Sequence, residues 1–218
     1  MSLPAPYVDE DDDEDPAYAA HVRLADALRR VQEANARVAV ASMGADIDDL
    51  IADVESVAER LEAHAGPRAV GRRPDVILDD PGRAMPLNPI AGHCNPVAPP
   101  VTMSLRGGEV TGTARLGQAY EGPPGRVHGG WVCGLLDQVL GFACVAAEQP
   151  SFTASLTVHL REATPLHTDL ELRGRVTDVS GRRVKVWGAI YADGALTAEA
   201  EGLFVRVPSD FGRDMASD

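Results

Sequence analysis

The strongest constraint on this chain is an apolar segment, residues 129–147, with one acid near its centre. Its large apolar residues do not follow one stripe at helical spacing, so a helix here must be enclosed by protein. These residues are Trp131, Val132, Leu135, Leu136, Val139, Leu140, Phe142, Cys144 and Val145. Asp137 is the acid, and a lone buried carboxylate is unfavourable unless it has partners or a chemical role. The sequence therefore predicts a central helix that carries a paired or functional acid.

Loop-forming residues determine where this helix begins. Residues 122–125 read Gly-Pro-Pro-Gly and suit neither a helix interior nor a central strand. His128, Gly129 and Gly130 therefore fall at the start of the helix, where backbone N–H groups are unpaired and the helix dipole is positive. Glycines allow a ligand atom to approach those N–H groups closely.

The spacing of the two polar groups predicts a dimer. Asp137 follows His128 by nine residues, or roughly 13 Å along one helix at about 1.5 Å per residue. Two groups so far apart cannot both contact one reacting carbon. If both serve one reaction, they come from two copies of the chain.

The same segment carries a family resemblance. Tyr-Glu-Gly-Pro-Pro-Gly-Arg-Val-His-Gly-Gly at residues 120–130, followed by Leu-Asp-Gln at 136–138, resembles the signature of the hotdog-fold acyl-CoA thioesterases. The most similar groups are the phenylacetic-acid-degradation and THEM-type thioesterases, and the resemblance spans residues 101–207. It implies hydrolysis of an acyl-CoA thioester with no cofactor other than the CoA of the substrate.

The resemblance also implies roles for catalytic residues. Asp137 matches the catalytic acid, a general base or nucleophile, although it could instead hold a dimer together. The amide of Gly129, with that of Gly130, would stabilise the oxyanion. His128 would orient the thioester, or simply cap the helix. Thr153 would place the attacking water or the acid, or be an ordinary solvated threonine.

Substrate contacts are expected on both sides of the motif. Some relatives carry an asparagine six residues before the histidine, where this chain has Gly122, so Glu121 is the candidate to substitute for it. Arg126 and Arg161 are candidates for CoA phosphates, since guanidinium groups match phosphate oxygens. Each arginine could equally be a solvated surface charge.

Composition narrows the function classes. The net charge of −13 disfavours nucleic acid as a partner. Seven of these charges lie in the acidic run at residues 9–15, so arginines elsewhere could still hold phosphates. The three cysteines lack metal-ligand spacing, which predicts no metal and a reducing cytoplasm. The acidic N-terminus does not resemble a signal peptide, and Asp137 argues against a membrane span.

The chain divides into five predicted segments. Residues 1–15 are expected to be a disordered acidic tail, and residues 209–218 a frayed tail. Residues 16–65 predict a helical hairpin that covers either the main domain or its partner. Residues 66–100 are a proline-rich irregular connection, and residues 101–208 form the main domain.

The first helix of the hairpin has an apolar pattern at helical spacing. Its inner face is predicted from the apolar residues Leu24, Leu28, Val31 and Val38. Its polar residues Arg29, Arg30 and Glu33 are predicted to point outward.

The main domain reads as an α+β fold. Alternating patterns predict one or two strands before the central helix and four antiparallel strands after it, with a hairpin at Asp193-Gly194. A sheet curled around one helix agrees with the hotdog resemblance. The predicted protein is a homodimeric or tetrameric thioesterase. The alternative is a non-catalytic acyl-CoA-binding module whose N-terminal helices bind a partner or regulate it.

Overall fold

The computed structural model describes residues 15–39, 43–44, 46–66 and 73–207. The predicted tails, apart from Asp15, lie outside these residues, so the structure does not bear on them. The helices are Pro16–Asn35 (α1), Asp46–Glu62 (α2), Pro81–Ala84 (α3) and Gly129–Ala146 (α4), with 3-10 turns at Pro74–Val76 and Gln118–Tyr120. The strands are Val101–Arg106 (β1), Glu109–Ala114 (β2), Ser151–Leu160 (β3), Leu170–Ser180 (β4), Arg183–Ala192 (β5) and Ala195–Arg206 (β6).

The six strands form one antiparallel sheet around α4. Their order is β1-β2-β4-β5-β6-β3, so β3, the strand that directly follows α4, lies at an edge. α4 packs against all six strands. This architecture confirms the predicted α+β hotdog fold, with two strands before the helix and four after it.

The core is centred on α4 and on the sheet face that it contacts. Leu135, Leu136, Val139 and Leu140 are fully buried. Burying one such side chain stabilises the fold by about 1.5–3 kcal/mol. One face of the central helix is therefore buried against the sheet, while the face that carries Asp137 is only half-buried, so the prediction that protein encloses the helix holds for one face of a single chain.

Two paired glycines let the helix approach the sheet closely. Gly174 of β4 and Gly188 of β5 lie opposite each other in the sheet. A Cβ on Gly174 would lie 2.5 Å from Cγ1 of Val139, and one on Gly188 would lie 2.5 Å from Cδ1 of Leu140. Any larger residue at either position would push the helix away from the sheet.

α4 also has the length and apolar composition of a membrane-crossing helix. It is the one helix of the described part of the chain with these properties, and core helices of soluble proteins share them. Its close packing on the sheet is the packing of a core helix.

α1 forms where it is predicted, but it buries a different face. Glu33 is buried, and the Arg29 side chain is only 11% exposed, so the prediction that these two residues point outward is wrong. The predicted inner face is also wrong in part, because Leu24 and Val31 are 36% and 51% exposed and Val38 lies beyond the end of α1. Arg30 is exposed, as predicted. The physical reason is that the side chains of Arg29 and Glu33 both form hydrogen bonds with backbone groups of residues later in the chain.

Arg29 joins α1 to the connection before β1. Its Nη2 donates hydrogen bonds to the carbonyl oxygens of His93 at 2.7 Å and Asn95 at 3.0 Å. Its Nε donates to the carbonyl oxygen of Ala98 at 3.1 Å, and it also pairs with Asp26. These hydrogen bonds to loop carbonyls hold the Arg29 side of α1 against the connection, beside the buried Tyr18, Val22 and Ala25.

α2 contrasts with α1 because none of its residues is buried. Its apolar side chains, Leu50, Ile51, Val54, Val57 and Leu61, are all exposed. Within the described structure, only α1 of the two predicted hairpin helices buries side chains.

Candidate active site

α4 begins at Gly129, and His128 is its N-cap. The His128 backbone is extended, and its Nδ1 accepts a hydrogen bond from the Gly130 N–H at 2.9 Å. A ring nitrogen that accepts this bond carries no proton, so in neutral His128 the proton is on Nε2. The histidine therefore caps the helix and retains one outer N–H donor.

The two glycine amides at this end differ. The Gly130 N–H is bonded to His128, whereas none of the described residues accepts a hydrogen bond from the Gly129 N–H. The dipole at this helix end favours negative charge beside that free donor. Of the two predicted oxyanion donors, Gly129 is therefore the one left open.

Residues 120–128 form a tight loop in front of α4. Glu121 pairs with Val127 in a β-bridge, and the His128 N–H donates to the Tyr120 carbonyl oxygen at 2.9 Å. A Cβ on Gly122 would lie 2.7 Å from the Cα of His128. Glycine at this position lets the two arms of the loop approach each other, and it offers no side chain to a substrate.

The Glu121 carboxylate stabilises this loop through two hydrogen bonds. One carboxylate oxygen accepts the Gly125 N–H at 2.6 Å, and the other accepts the side-chain amide of Gln118. Gly125 has a φ of 72°, in the left-handed region that glycine tolerates. The carboxylate predicted to contact substrate is thus already engaged in holding the loop.

Asp137 and Thr153 lie together, as the resemblance implies. The Thr153 hydroxyl donates to Oδ1 of the half-buried Asp137 at 3.0 Å. A β-bulge between Thr153 and Ser155 interrupts the pairing of β3 with β6 at this point, and bulges commonly re-aim a side chain. Oδ2 of Asp137 accepts no hydrogen bond from the residues that the structure covers, so it remains available for chemistry.

One chain does not bring Asp137 to the predicted oxyanion donor, the Gly129 N–H. Gly129 precedes Asp137 by eight residues on α4, about 12 Å at 1.5 Å per residue. Gly129 instead faces Leu160, at the opposite end of β3 from Thr153.

The two candidate arginines have different surroundings. Arg161 donates through Nε and Nη2 to Oε1 of Glu199, at 3.0 and 2.7 Å. That pair, with the indole N–H of Trp187, holds the pKa of Glu199 below its ordinary value. Arg126 is exposed in the loop and contacts no acid among the described residues. Arg126 is therefore the freer of the two cations.

An aromatic pair links the loop to the helix, and sequence reasoning gave it no role. The Tyr120 and Trp131 rings meet edge to face, with centroids 5.0 Å apart. The Tyr120 hydroxyl donates to the carbonyl oxygen of Ala98 at 3.1 Å, and burial raises its pKa to about 12. The sequence feature that could have indicated this pair is the position of Tyr120 at the start of the motif, eleven residues before Trp131.

Metal-ligating residues are scattered. Across residues 15–39, 43–44, 46–66 and 73–207, no group of three or more His, Cys, Asp or Glu side chains could hold a metal ion. Cys94, Cys133 and Cys144 are free thiols. Burial raises the pKa of Cys94 and of Cys144 to about 11, so both stay protonated at neutral pH.

Known proteins resemble this chain in both sequence and fold. Residues 124–198 match the thioesterase superfamily. The chain is 32% identical over 93 residues to the acyl-coenzyme A thioesterase THEM4 of Xenopus laevis, and the match covers 42% of each protein. A crystal structure of a thioesterase superfamily protein is 35% identical, with a TM-score of 0.74 over 85% of this chain and 94% of that one.

Proposed function

This chain belongs to the thioesterase superfamily, and we propose that it hydrolyses an acyl-CoA thioester to a free acid and CoA. The observation that carries the proposal is the hydrogen bond from Thr153 to Asp137, on the helix whose first amide, that of Gly129, is open. The acyl-CoA substrate class is supported by the resemblance to THEM4, of which the chain matches 42%.

Asp137 is the proposed base. Thr153 fixes Oδ1, and the free Oδ2 takes a proton from water as the water oxygen bonds to the thioester carbon. The C–S bond then breaks, and the proton passes to the sulfur so that CoA leaves as a thiol. Direct attack by Asp137, giving an anhydride that water cleaves, uses the same carboxylate. General base catalysis contributes about 10²–10⁴-fold to such a rate.

The beginning of α4 is the proposed oxyanion site. Negative charge develops on the carbonyl oxygen as the water oxygen bonds to carbon, and the Gly129 N–H offers it a donor at the positive end of the helix. The Nε2 proton of His128 offers a second donor, since its Nδ1 is held by Gly130.

The complete site needs two copies of the chain. About 12 Å separates Gly129 from Asp137 along α4, which is too far for one reacting carbon. β3 is an edge strand with exposed apolar side chains, Phe152 at 56% and Leu160 at 58%. An unpaired edge of this kind favours pairing with another strand. A homodimer joined along β3 is therefore the proposed active unit.

Arg126 is the proposed contact for a CoA phosphate. It lies in the loop that leads to His128, and its guanidinium group is exposed. Arg161 could join it only by giving up the bonds to Glu199. Glu121 and Gly122 are proposed to shape the loop that borders the substrate.

The decisive experiment is to measure thiol release from a panel of acyl-CoAs by the wild type and by Asp137→Asn. We expect wild-type turnover and a fall in kcat of about 10²–10⁴-fold in the variant. The matched control is Asp53→Asn on the exposed surface of α2, which should keep wild-type kcat.

Two outcomes would contradict this function. Turnover retained by Asp137→Asn would exclude Asp137 as base or nucleophile. Tight acyl-CoA binding without turnover in the wild type would instead support the non-catalytic binding module.

A further inference from the structure

Glu33 is a buried acid that lies outside the proposed active site. It is 6% exposed, and its two carboxylate oxygens accept the backbone N–H groups of Gln118 and Ala119, each at 3.0 Å. Arg37, four residues later and just beyond the end of α1, brings its guanidinium group to 3.7 Å. A buried charge is costly unless it is satisfied, and here it caps the Gln118–Tyr120 turn with a side chain from a distant helix.

Two series of hydrogen bonds connect this cap to the loop at residues 120–128. In the first, the Gln118–Tyr120 turn ends at Tyr120, whose carbonyl oxygen accepts the His128 N–H at 2.9 Å. In the second, the Gln118 side chain donates to Glu121, which in turn accepts the Gly125 N–H. Both series end in residues 120–128, which determine where α4 begins.

Arg29, one turn before Glu33 in α1, also supports Tyr120. Its Nε and the Tyr120 hydroxyl both donate to the carbonyl oxygen of Ala98, each at 3.1 Å. α1 therefore positions Tyr120 in two ways. Glu33 fixes the backbone of the two residues before Tyr120, and Arg29 shares the Ala98 carbonyl oxygen with the Tyr120 hydroxyl.

The Glu33 carboxylate occupies the space that a side chain at Gly117 would need. A Cβ on Gly117 would lie 2.7 Å from the Cδ of Glu33 and closer still to Oε2. The Gly117 backbone has φ −96° and ψ −164°, which any residue can adopt. The carboxylate, rather than backbone conformation, is what excludes a side chain at this position.

We propose that Glu33 is a positioning residue for the active site. By fixing the backbone at Gln118 and Ala119, it holds residues 120–128 so that His128 caps α4 and the Gly129 amide keeps its place. Glu33 touches no reacting atom and acts only through this loop. The inference rests on the proposed thioester hydrolysis, and it makes α1 part of the support of the active site.

The first test is Glu33→Gln, which keeps the side-chain size but sets an NH₂ group against a backbone N–H. Because small misplacement of reacting groups can cost about a hundredfold in rate, we expect kcat to fall by about ten- to a hundredfold. KM should change less, and the variant should remain folded at the assay temperature. The control is Arg30→Gln on the exposed side of the same helix, with kcat unchanged. A lowered Tm with wild-type kcat would show a merely structural role and overturn the proposal.

The second test is a double-mutant cycle with Gly117. Gly117→Ala alone should displace the carboxylate and lower kcat about as much as Glu33→Gln does. In a Glu33→Ala background the space is free, so Gly117→Ala should change kcat little further. Losses that multiply independently would mean that the two positions do not act together, and would overturn the proposal.

Amide hydrogen exchange separates this proposal from the proposed activity. In Glu33→Gln, the amides of residues 117–128 should exchange at least about tenfold faster than in the wild type. If the wild type hydrolyses no acyl-CoA, the hydrolysis is refuted, and exchange alone decides whether Glu33 holds the loop. An active wild type with unchanged exchange and kcat in the variant would refute the role of Glu33 alone.

Discussion

α4 packs within the main domain through apolar side chains, whereas α1 packs against that domain through both apolar and charged side chains. α4 buries one face against the sheet, including the fully buried Leu136, while its other face, which carries Asp137, is half-buried. α1 turns Arg29 and Glu33 inward and leaves Val31 exposed. The apolar residues of α4 therefore predict its position against the sheet. A helix that covers loops can also be held by hydrogen bonds to the backbone groups of those loops.

The comparison shows which polar residues turn inward. A long side chain with several donors or acceptors satisfies several carbonyls or amides at once, as Arg29 does with His93, Asn95 and Ala98. Hydrogen bonds to a charged group contribute about 1.5–3 kcal/mol, which is comparable to burying one apolar side chain. Apolar spacing therefore locates α1 in the sequence but does not orient it.

The largest effect is expected in α4. Leu136→Ala leaves a cavity beside the sheet, and we expect the free energy of unfolding to fall by about 2–5 kcal/mol. Chemical denaturation measures this change. Leu50→Ala on the exposed face of α2 is the control, with a far smaller loss. A loss below 1 kcal/mol, roughly that of an exposed site, would contradict the burial of Leu136 against the sheet.

A smaller loss is expected at the polar anchor of α1. Arg29→Met removes donors from three carbonyls, and hydrogen bonds to charged groups contribute about 1.5–3 kcal/mol. We expect a loss in that range, measured by the same denaturation. Arg30→Met should change stability by less than about 0.5 kcal/mol, as an exposed position does.

Thiol labelling shows whether this loss is confined to α1. Cys94 packs in a cluster with Tyr18 and Val22 of α1, whereas Cys144 is in α4. Burial raises both pKa values to about 11, so both thiols should react slowly at neutral pH. Arg29→Met should accelerate labelling of Cys94 and leave Cys144 slow. Equal acceleration of both would mean that α1 and the core open together.

The smallest effect is expected at Val31. Because this side chain is exposed, Val31→Ala should change the free energy of unfolding by less than about 0.5 kcal/mol. Denaturation at two protein concentrations provides the measurement. A loss of 2 kcal/mol or more, as for a core site, would mean that this face is covered in solution.

Local patterns predicted the parts of the fold that depend on neighbouring residues. The helix start at Gly129 and the turn at Asp193-Gly194 follow from loop chemistry, and the turn residues have φ of 50° and 81°. The proximity of Thr153 to Asp137 follows from the family resemblance and is present as a hydrogen bond. Their catalytic roles remain predictions.

Other features depend on contacts between distant parts of the chain. The inward position of Glu33 depends on amides more than eighty residues later. Gly174 and Gly188 face α4 only once β4 and β5 are paired. Apolar periodicity carries no information about such pairings.

The long sequence separation between Glu33 and its partners has a consequence for the order of folding. Glu33 bonds to an amide 85 residues further along the chain, and closing so long a segment is entropically expensive until other contacts have shortened it. During synthesis, α1 emerges well before the residues that receive it. The earliest helix of the described chain is therefore expected to be among the last to dock.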